Sequence, residues 1–401
     1  MFQDTFYMGF YVVSIYLSVL WVIIYLENRK VIFKYPVAKI LPAITFLLPA
    51  YNESKTIGRC IKSLLDLDYP KNKMKIIVVN DGSTDNTAKI ASKFKKHGVV
   101  LLNKKNGGKA SALNYGMKYV NTELVACMDT DSVATKDYLK KIVGYFGRNN
   151  IAAVTTSTKI LNTKTIMQQI QWAEYLISMI FRKLLAILEC QFAVPGTGSV
   201  YKTSVLRKVG LFDVTNNTED MEIAMRLHSK GYKIENSIDA YVYTDCPKSF
   251  TDLLKQRMRW YRGYLFNFRK YSFMIFNRKY GNFGVFYIPM TLLWTSFIIG
   301  LFLISVYSFI FTPISYLFKI GLIIPTFSLS IFNLNSFTLS ASVSLTFGLL
   351  LIFLGIKTSK VEKIKGRKKY YLFYTILYPY MFSFFWLCAV ILSALGAEEK
   401  W

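Results

Sequence analysis

Residues 124–132 read Leu-Val-Ala-Cys-Met-Asp-Thr-Asp-Ser, and the reading of this stretch decides the fold. It begins apolar and ends in two carboxylates, Asp129 and Asp131, one residue apart. In an extended strand, side chains at i and i+2 point to the same side. Two hard oxygen donors converging at a strand end suit Mg²⁺ or Mn²⁺. Asp-x-Asp alone is a weak signal, because paired acids are common in surface turns. Its weight depends on its neighbours.

Upstream, short apolar runs alternate with helical patterns. Ile44–Leu48 reads as a strand ending in Pro49-Ala50-Tyr51-Asn52-Glu53, followed by a helix to about Leu65. Lys75–Val79 is a second buried strand, ending in Asn80-Asp81-Gly82-Ser83-Thr84-Asp85. Asp-Gly marks a turn, and Ser83, Thr84 or Asp85 can cap the helix after it. Val99–Asn103 is a third strand, and Asn106-Gly107-Gly108-Lys109 opens the next helix. Leu124–Met128 is the fourth. Alternation of strand and helix predicts a mostly parallel sheet. Polar residues cluster where each strand ends, the place where open α/β sheets bind ligands.

Downstream, Thr165–Cys190 places Ile166, Ile170, Leu176, Ile177, Ile180, Leu184 and Leu188 at helical spacing. This amphipathic helix faces either the core or a membrane surface. Phe192–Ser199 (FAVPGTGS) is a glycine-containing turn, with Gly198 before a short strand at Val200-Tyr201. Thr218-Glu219-Asp220 precedes a helix that Thr218 can cap and whose dipole favours the two carboxylates. In Lys255–Arg262, Gln256, Arg259 and Trp260 fall at i, i+3 and i+4, on one helix face. Arg259 can pair with phosphate oxygens, and the indole can stack on a sugar. Arg257 and Arg262 read as surface arginines suited to anionic lipid.

Composition sets the compartment. The 401 residues are 53% hydrophobic and 16% aromatic, too apolar for an ordinary soluble domain. A formal charge of +26 first suggests nucleic acid, but long apolar segments with basic flanks point to a membrane instead. The five cysteines are scattered without Cys-x-x-Cys spacing, so neither a disulfide framework nor a zinc site is implied. Two histidines exclude a histidine-rich metal centre. Phe6–Leu26 is long enough to span at roughly 20 residues. Arg29, Lys30, Lys34 and Lys39 follow it, which places the next domain in the cytoplasm. Phe283–Phe311, Ser340–Ile356 and Tyr371–Leu395 are further spans, giving four. Lys357–Lys369 is a basic cytoplasmic loop, and Ile314–Phe332, interrupted by Lys319 and Pro325, reads as re-entrant or surface-lying.

Taken in order, Pro49–Glu53, Asn80–Asp85, Gly107-Gly108-Lys109 and Asp129-Thr130-Asp131 resemble the nucleotide-sugar half of glycosyltransferase family 2. Thr218-Glu219-Asp220 with Gln256-x-x-Arg259-Trp260 about thirty-five residues later resembles its processive membrane branch. That branch makes cellulose, chitin, hyaluronan and poly-N-acetylglucosamine, and the last is most similar. The resemblance implies a GT-A-like α/β nucleotide-diphospho-sugar transferase fused to a helical transmembrane domain. It divides the chain into a span at 1–30, a cytoplasmic transferase at 40–245, interface helices at 246–282 and a membrane domain at 283–401.

The same resemblance implies site roles. Asp81, with Pro49 and Tyr51–Glu53, would contact the uridine. Lys109, Gln256, Arg259 and Asp129 would lie at the diphosphate. Asp131, with Asp129, would hold Mg²⁺ or Mn²⁺. Asp220 would be the general base, with Glu219 beside it, because inverting transfer needs a carboxylate to deprotonate the acceptor hydroxyl. Gly198 and Trp260 would meet the acceptor. The implied partners are a UDP-sugar, a polysaccharide or lipid-linked acceptor and membrane lipids, with no nucleic acid. Two rivals are single transfer to a polyprenyl phosphate and an inactive scaffold or transporter. Intact acidic motifs argue against the scaffold, and Gln-x-x-Arg-Trp argues against single transfer.

Overall fold

β-Branched and apolar runs closed by turn formers become strands because branched side chains pack well on a pleated, buried surface. In a computed structural model of the chain, which describes residues 2–320, 349–350, 353–354 and 368–396, eight such runs form one sheet. The strands are β1 (Ile44–Ala50), β2 (Met74–Asp81), β3 (Val100–Lys104), β4 (Leu124–Met128), β5 (Val133–Ala134), β6 (Ile151–Ile160), β7 (Thr197–Lys202) and β8 (Lys233–Thr244). Their order is β3-β2-β1-β4-β7-β6-β8-β5.

The half from β3 to β4 is parallel, as the alternation predicts. Beyond β4 the sheet is mixed. β7 runs antiparallel to both β4 and β6, β8 is parallel to β6, and β5 is antiparallel to β8. No helix crosses over between β4 and β5, so the parallel rule lapses there. β5, β6 and β8 are strands that the sequence does not predict. β8 carries a period-two signal, Ile234, Ile238, Ala240 and Val242, broken by the buried Asn236.

The helices are α1 (Phe2–Asn28), α2 (Ile57–Leu65), α3 (Thr87–Ser92), α4 (Lys109–Met117), α5 (Lys140–Val143), α6 (Ile166–Ile187), α7 (Thr203–Lys208), α8 (Glu219–Ser229), α9 (Phe250–Lys270), α10 (Ile288–Ile320) and α11 (Lys368–Ala394). Cores lie on both faces of the sheet. Phe46, Leu48, Val78 and Ala126 pack with α2 on one face. Leu47, Ile77, Val79 and Val125 pack with α4 and α8 on the other. Alternate residues of one strand therefore feed two cores, which is why these runs are continuously apolar.

α6 settles its two readings in favour of the core. Thr165 and Gln168 form a capping box at its start. Trp172, Leu176, Ile180 and Leu184 are buried, and Lys183 is held inside by donating to Asn236 O at 2.7 Å.

Residues Arg29–Pro289, which include the sheet, form one compact unit. The other comprises Met1–Asn28 and Met290–Trp401. Three helical segments among the described residues are long and apolar enough to cross a membrane: Thr5–Asn28, Phe283–Tyr307 and Leu377–Ala394. In the second unit α1 packs on α10 through aromatic rings, with Phe6 edge-on to Phe297 at 5.4 Å and Phe10 stacked on Trp294 at 5.5 Å. A Cβ at Gly300 would lie 2.4 Å from the Phe6 ring, so only glycine admits this approach. Of the expected fourth span, Ser340–Ile356, only four residues are described. The basic loop lies almost wholly outside the described residues, and so does Ile314–Phe332 beyond Ile320, where α10 ends.

His228 of α8 is buried, stacked on Phe283 at 4.1 Å and bonded through Nε2 to Gln191 O at 2.8 Å. Burial holds its pKa down to about 4. The unfolded chain takes up the proton near pH 6.5, so neutral His228 stabilises fully above that value. The contribution is lost as pH falls from 6.5 to 4. The stability advantage of wild type over His228→Gln, measured by thermal melting, is expected to shrink across that window. A pH-independent difference would contradict it.

Candidate active site

The turns after β1 and β2 are locked to each other. Asn52 sits at a φ of 55°, a left-handed position that asparagine tolerates. Its amide donates to Ser83 Oγ at 3.0 Å, and its Oδ1 accepts from Thr84 N at 2.9 Å. Glu53 N donates to Thr87 Oγ1 at 2.7 Å. Pro49 lies within β1 opposite Val79, and Tyr51 stands half-exposed at the rim. Asp81 is buried. It accepts from Gly107 N at 3.1 Å and Gly108 N at 2.8 Å, and pairs with Lys104. In this structure the carboxylate therefore shapes the glycine turn that launches α4. Gly108, at φ 86°, is required there.

α4 begins with Lys109, whose Nζ lies 2.7 Å from Asp129 and 3.1 Å from Glu219. Burial disfavours its ammonium, but Asp129, Glu219 and Asp220 outweigh burial and hold its pKa well above the usual value. β4 ends at Met128, so Asp129 and Asp131 sit in the turn beyond it rather than in extended strand. That turn is closed by Ser132 N donating to Asp129 O at 3.0 Å. Asp131 accepts from Ser132 Oγ and Thr244 Oγ1, each at 3.1 Å, and Arg59 donates to its carbonyl at 3.0 Å. Burial, then the charge of Asp129, push Asp131 up to about 6. Glu53 is raised too, first by burial and also by Asp129.

These acids fit a divalent cation, because two part-buried carboxylates two residues apart offer the hard oxygen donors that Mg²⁺ and Mn²⁺ take. No group of three or more His, Cys, Asp or Glu is arranged for a metal among the described residues. Mg²⁺ and Mn²⁺ do not need one when phosphate oxygens and water complete the shell.

Glu219 and Asp220 are the first two residues of α8. Thr218 precedes them but does not cap the helix. Its hydroxyl is 3.1 Å from Asn216 Oδ1 and accepts from Asn267 Nδ2 of α9 at 3.0 Å. Burial raises the Asp220 pKa, Glu219 adds to this, and Lys109 and Arg259 oppose it. Arg259 thus acts electrostatically on Asp220, although α9 begins thirty residues after it.

Gln256 shares α9, its Oε1 buried and without a hydrogen-bond partner among the described residues. Trp260 lies against the Arg257 guanidinium, 4.2 Å from the ring centroid. Arg257 is only 1% exposed and pairs with Glu174 of α6 at 2.7 Å, which rules out its reading as a lipid-facing arginine.

Two further residues were missed. A Cβ at Gly196 would lie 2.4 Å from Asp129 Oδ1 and 2.7 Å from Lys109 Nζ, so this glycine faces the acids. A Cβ at Gly198, the residue expected at the acceptor, would meet Met128, Val242 and Tyr138. Arg182 of α6 lies 5.9 Å from the Phe192 ring and senses Asp220, while burial lowers its pKa. In the sequence it is one of the polar residues, with Gln168, Gln169 and Lys183, between the apolar positions of an amphipathic helix, and spacing alone does not single it out.

The family profile described as glycosyltransferase like family 2 matches residues 42–263. A poly-beta-1,6-N-acetyl-D-glucosamine synthase of Staphylococcus epidermidis is 36% identical over 224 residues, covering 55% of this chain and 54% of that protein. The synthase of the same description from Staphylococcus aureus (strain COL) is 34% identical over 262 residues, covering 62% and 63%. The chain thus spans about half to under two thirds of the curated relatives it matches. A mannosyltransferase from Pyrobaculum calidifontis, solved with GDP-Man and Mn²⁺, superposes with a TM-score of 0.65 over 98% of this chain and 99% of that one. At 16% identity it shows the fold, GT-A-like with a mixed sheet.

Gly196→Ala is expected to cost about 1–3 kcal/mol by overpacking. Gly147→Ala, whose Cβ would meet nothing within 4 Å, should cost far less. Equal shifts of the two thermal midpoints would contradict the close approach at Gly196.

Proposed function

The chain belongs to glycosyltransferase like family 2, and on that premise we propose that it is an inverting, metal-dependent membrane transferase. It elongates a β-linked polysaccharide from a UDP-sugar and passes the product across the membrane. The names of its relatives make N-acetylglucosamine the first donor sugar to test. The observation that carries the reading is one cluster at the sheet's end: Lys109 between Asp129 and Glu219, with Asp220 and Asp131 beside it. This arrangement pairs a proton acceptor with cationic groups for a leaving diphosphate.

The transfer follows from these groups. The acceptor hydroxyl gives its proton to Asp220 as its oxygen attacks the anomeric carbon. The bond from that carbon to the UDP oxygen breaks, and configuration inverts. A raised pKa suits Asp220 to this, since a base is most effective when its pKa nears the working pH. Lys109 and Arg259 stabilise the departing UDP. A divalent cation on Asp129 and Asp131, when bound, neutralises charge on the diphosphate. Tyr51 and the Asp81-ordered turn flank the uridine, Gln256 adds a polar contact, and Trp260 stacks on the acceptor sugar. The transferase unit faces the cytoplasm, supported by Arg29, Lys30, Lys34 and Lys39 just after α1.

The decisive experiment incubates the purified full chain with radiolabelled UDP-N-acetylglucosamine and sizes the product. A ladder or smear supports polymerisation, and one lipid-soluble product means single transfer to a lipid. Chelator or Asp131→Ala should abolish incorporation, with Mg²⁺ or Mn²⁺ restoring the chelated wild type. Full activity in excess chelator would sink the metal assignment.

Asp220→Asn keeps the side chain's size but cannot accept the proton. Turnover should fall by roughly 10²–10⁴-fold with UDP affinity unchanged. Near-normal turnover would reduce Asp220 to a helix-end carboxylate.

A further inference from the structure

Arg257 heads the largest fully buried side chains, although it stands in a run of basic residues at 255–262. Burying a guanidinium so deeply is strongly unfavourable unless it is paired. Its partner is Glu174, reaching across from α6 with Nη2 and Oε2 2.7 Å apart. The same guanidinium lies 4.2 Å from the centroid of Trp260, three residues on, within cation–π range. An apolar residue would dock α9 on α6 as well or better. A charge at this point does something more specific: it gives the indole a plane to lie against. Trp260 is only partly buried, so part of its surface stays open to a sugar ring.

We infer that Glu174 and Arg257 form a buried positioning dyad that sets the Trp260 indole for the acceptor, Glu174 acting through Arg257. The inference rests on the reading of Trp260 as the acceptor platform. The dyad spans two helices, so α6 participates in acceptor engagement without touching the reacting atoms. Arg257 and Trp260, at i and i+3, are neighbours on the surface of α9.

The test uses the full chain with UDP-N-acetylglucosamine and an N-acetylglucosamine oligosaccharide as primer. Glu174→Gln is expected to raise the primer KM about tenfold or more, the scale of a misplaced substrate-positioning group. UDP affinity should stay within about twofold of wild type, since no donor contact is lost. Trp260→Ala should raise the primer KM as well, and the double variant should be no worse than Trp260→Ala alone, because both act through one indole. Additive losses overturn the dyad, since a merely structural ion pair would weaken the protein independently of Trp260. An unchanged primer KM in Glu174→Gln, with a raised one in Trp260→Ala, overturns the dyad and leaves the acceptor platform standing. An unchanged KM in Trp260→Ala refutes the platform and the dyad with it.

The exchange Glu174→Arg with Arg257→Glu covers failure to fold. It keeps an ion pair but takes the cation off the indole, so it should melt like wild type and still show the raised KM. A wild-type KM in that variant overturns the inference. A readout independent of turnover is acrylamide quenching of the Trp260 emission, taken as the difference from Trp260→Phe. Glu174→Gln should quench more readily, and identical quenching overturns the dyad.

Discussion

The ammonium of Lys109 is the group on which the site depends. Asp129, Glu219 and Asp220 gather around it, with Asp131 beside Asp129, and like charges this close repel in a partly dry pocket. Lys109 bridges two of them, one from the turn after β4 and one from the start of α8. Burial first, and their remaining repulsion second, raise the pKa values of Asp131 and Asp220. A site in this condition favours any added cation and strengthens the proton affinity of its bases. Both properties serve the transfer of a sugar from an anionic leaving group.

α9 depends on a second, neutral network. Asn216, Thr218 and Asn267 exchange hydrogen bonds in a buried triangle, and a Cβ at Gly263 would lie 2.3 Å from Thr218. Next to it, buried Glu222 accepts from Lys270 at 3.0 Å and Tyr271 at 2.7 Å, and also pairs with Arg226. Polar groups buried this way are costly unless satisfied, so the network admits few alternative geometries. It holds the Gln-x-x-Arg-Trp helix against the helix that carries Asp220. The Glu174–Arg257 pair performs the same office on the α6 side.

Beyond the site, aromatic rings stack within the sheet-bearing unit. His228, Phe283, Tyr287 and Phe192 stack in succession at 4.1, 5.1 and 5.6 Å. Phe192 lies two residues before Val194, whose amide donates to Asp220 O at 2.9 Å. Phe283–Tyr287 is wound as a π-helix and runs directly into α10. The segment where the apolar helix begins is thus packed on the loop that backs Asp220.

What the sequence determined by itself was local or repetitive. The parallel half of the sheet, the turns at its strand ends and the apolar helices were legible because strand period, Asp-Gly turns and long apolar runs are properties of neighbouring residues. The acidic motifs were legible because the chemistry needs particular residue types in a fixed order. Tertiary structure alone decided the rest. It placed Asp129 and Asp131 in a turn, turned Thr218 from cap to network, and brought Gly196 against the acids. It also buried Arg257, which looked like a surface charge. The reason is common to the last three. A side chain's role at a site depends on what packs against it from remote elements: α4 against Gly196, α9 against Thr218, α6 against Arg257. Spacing along the chain carries no record of those approaches.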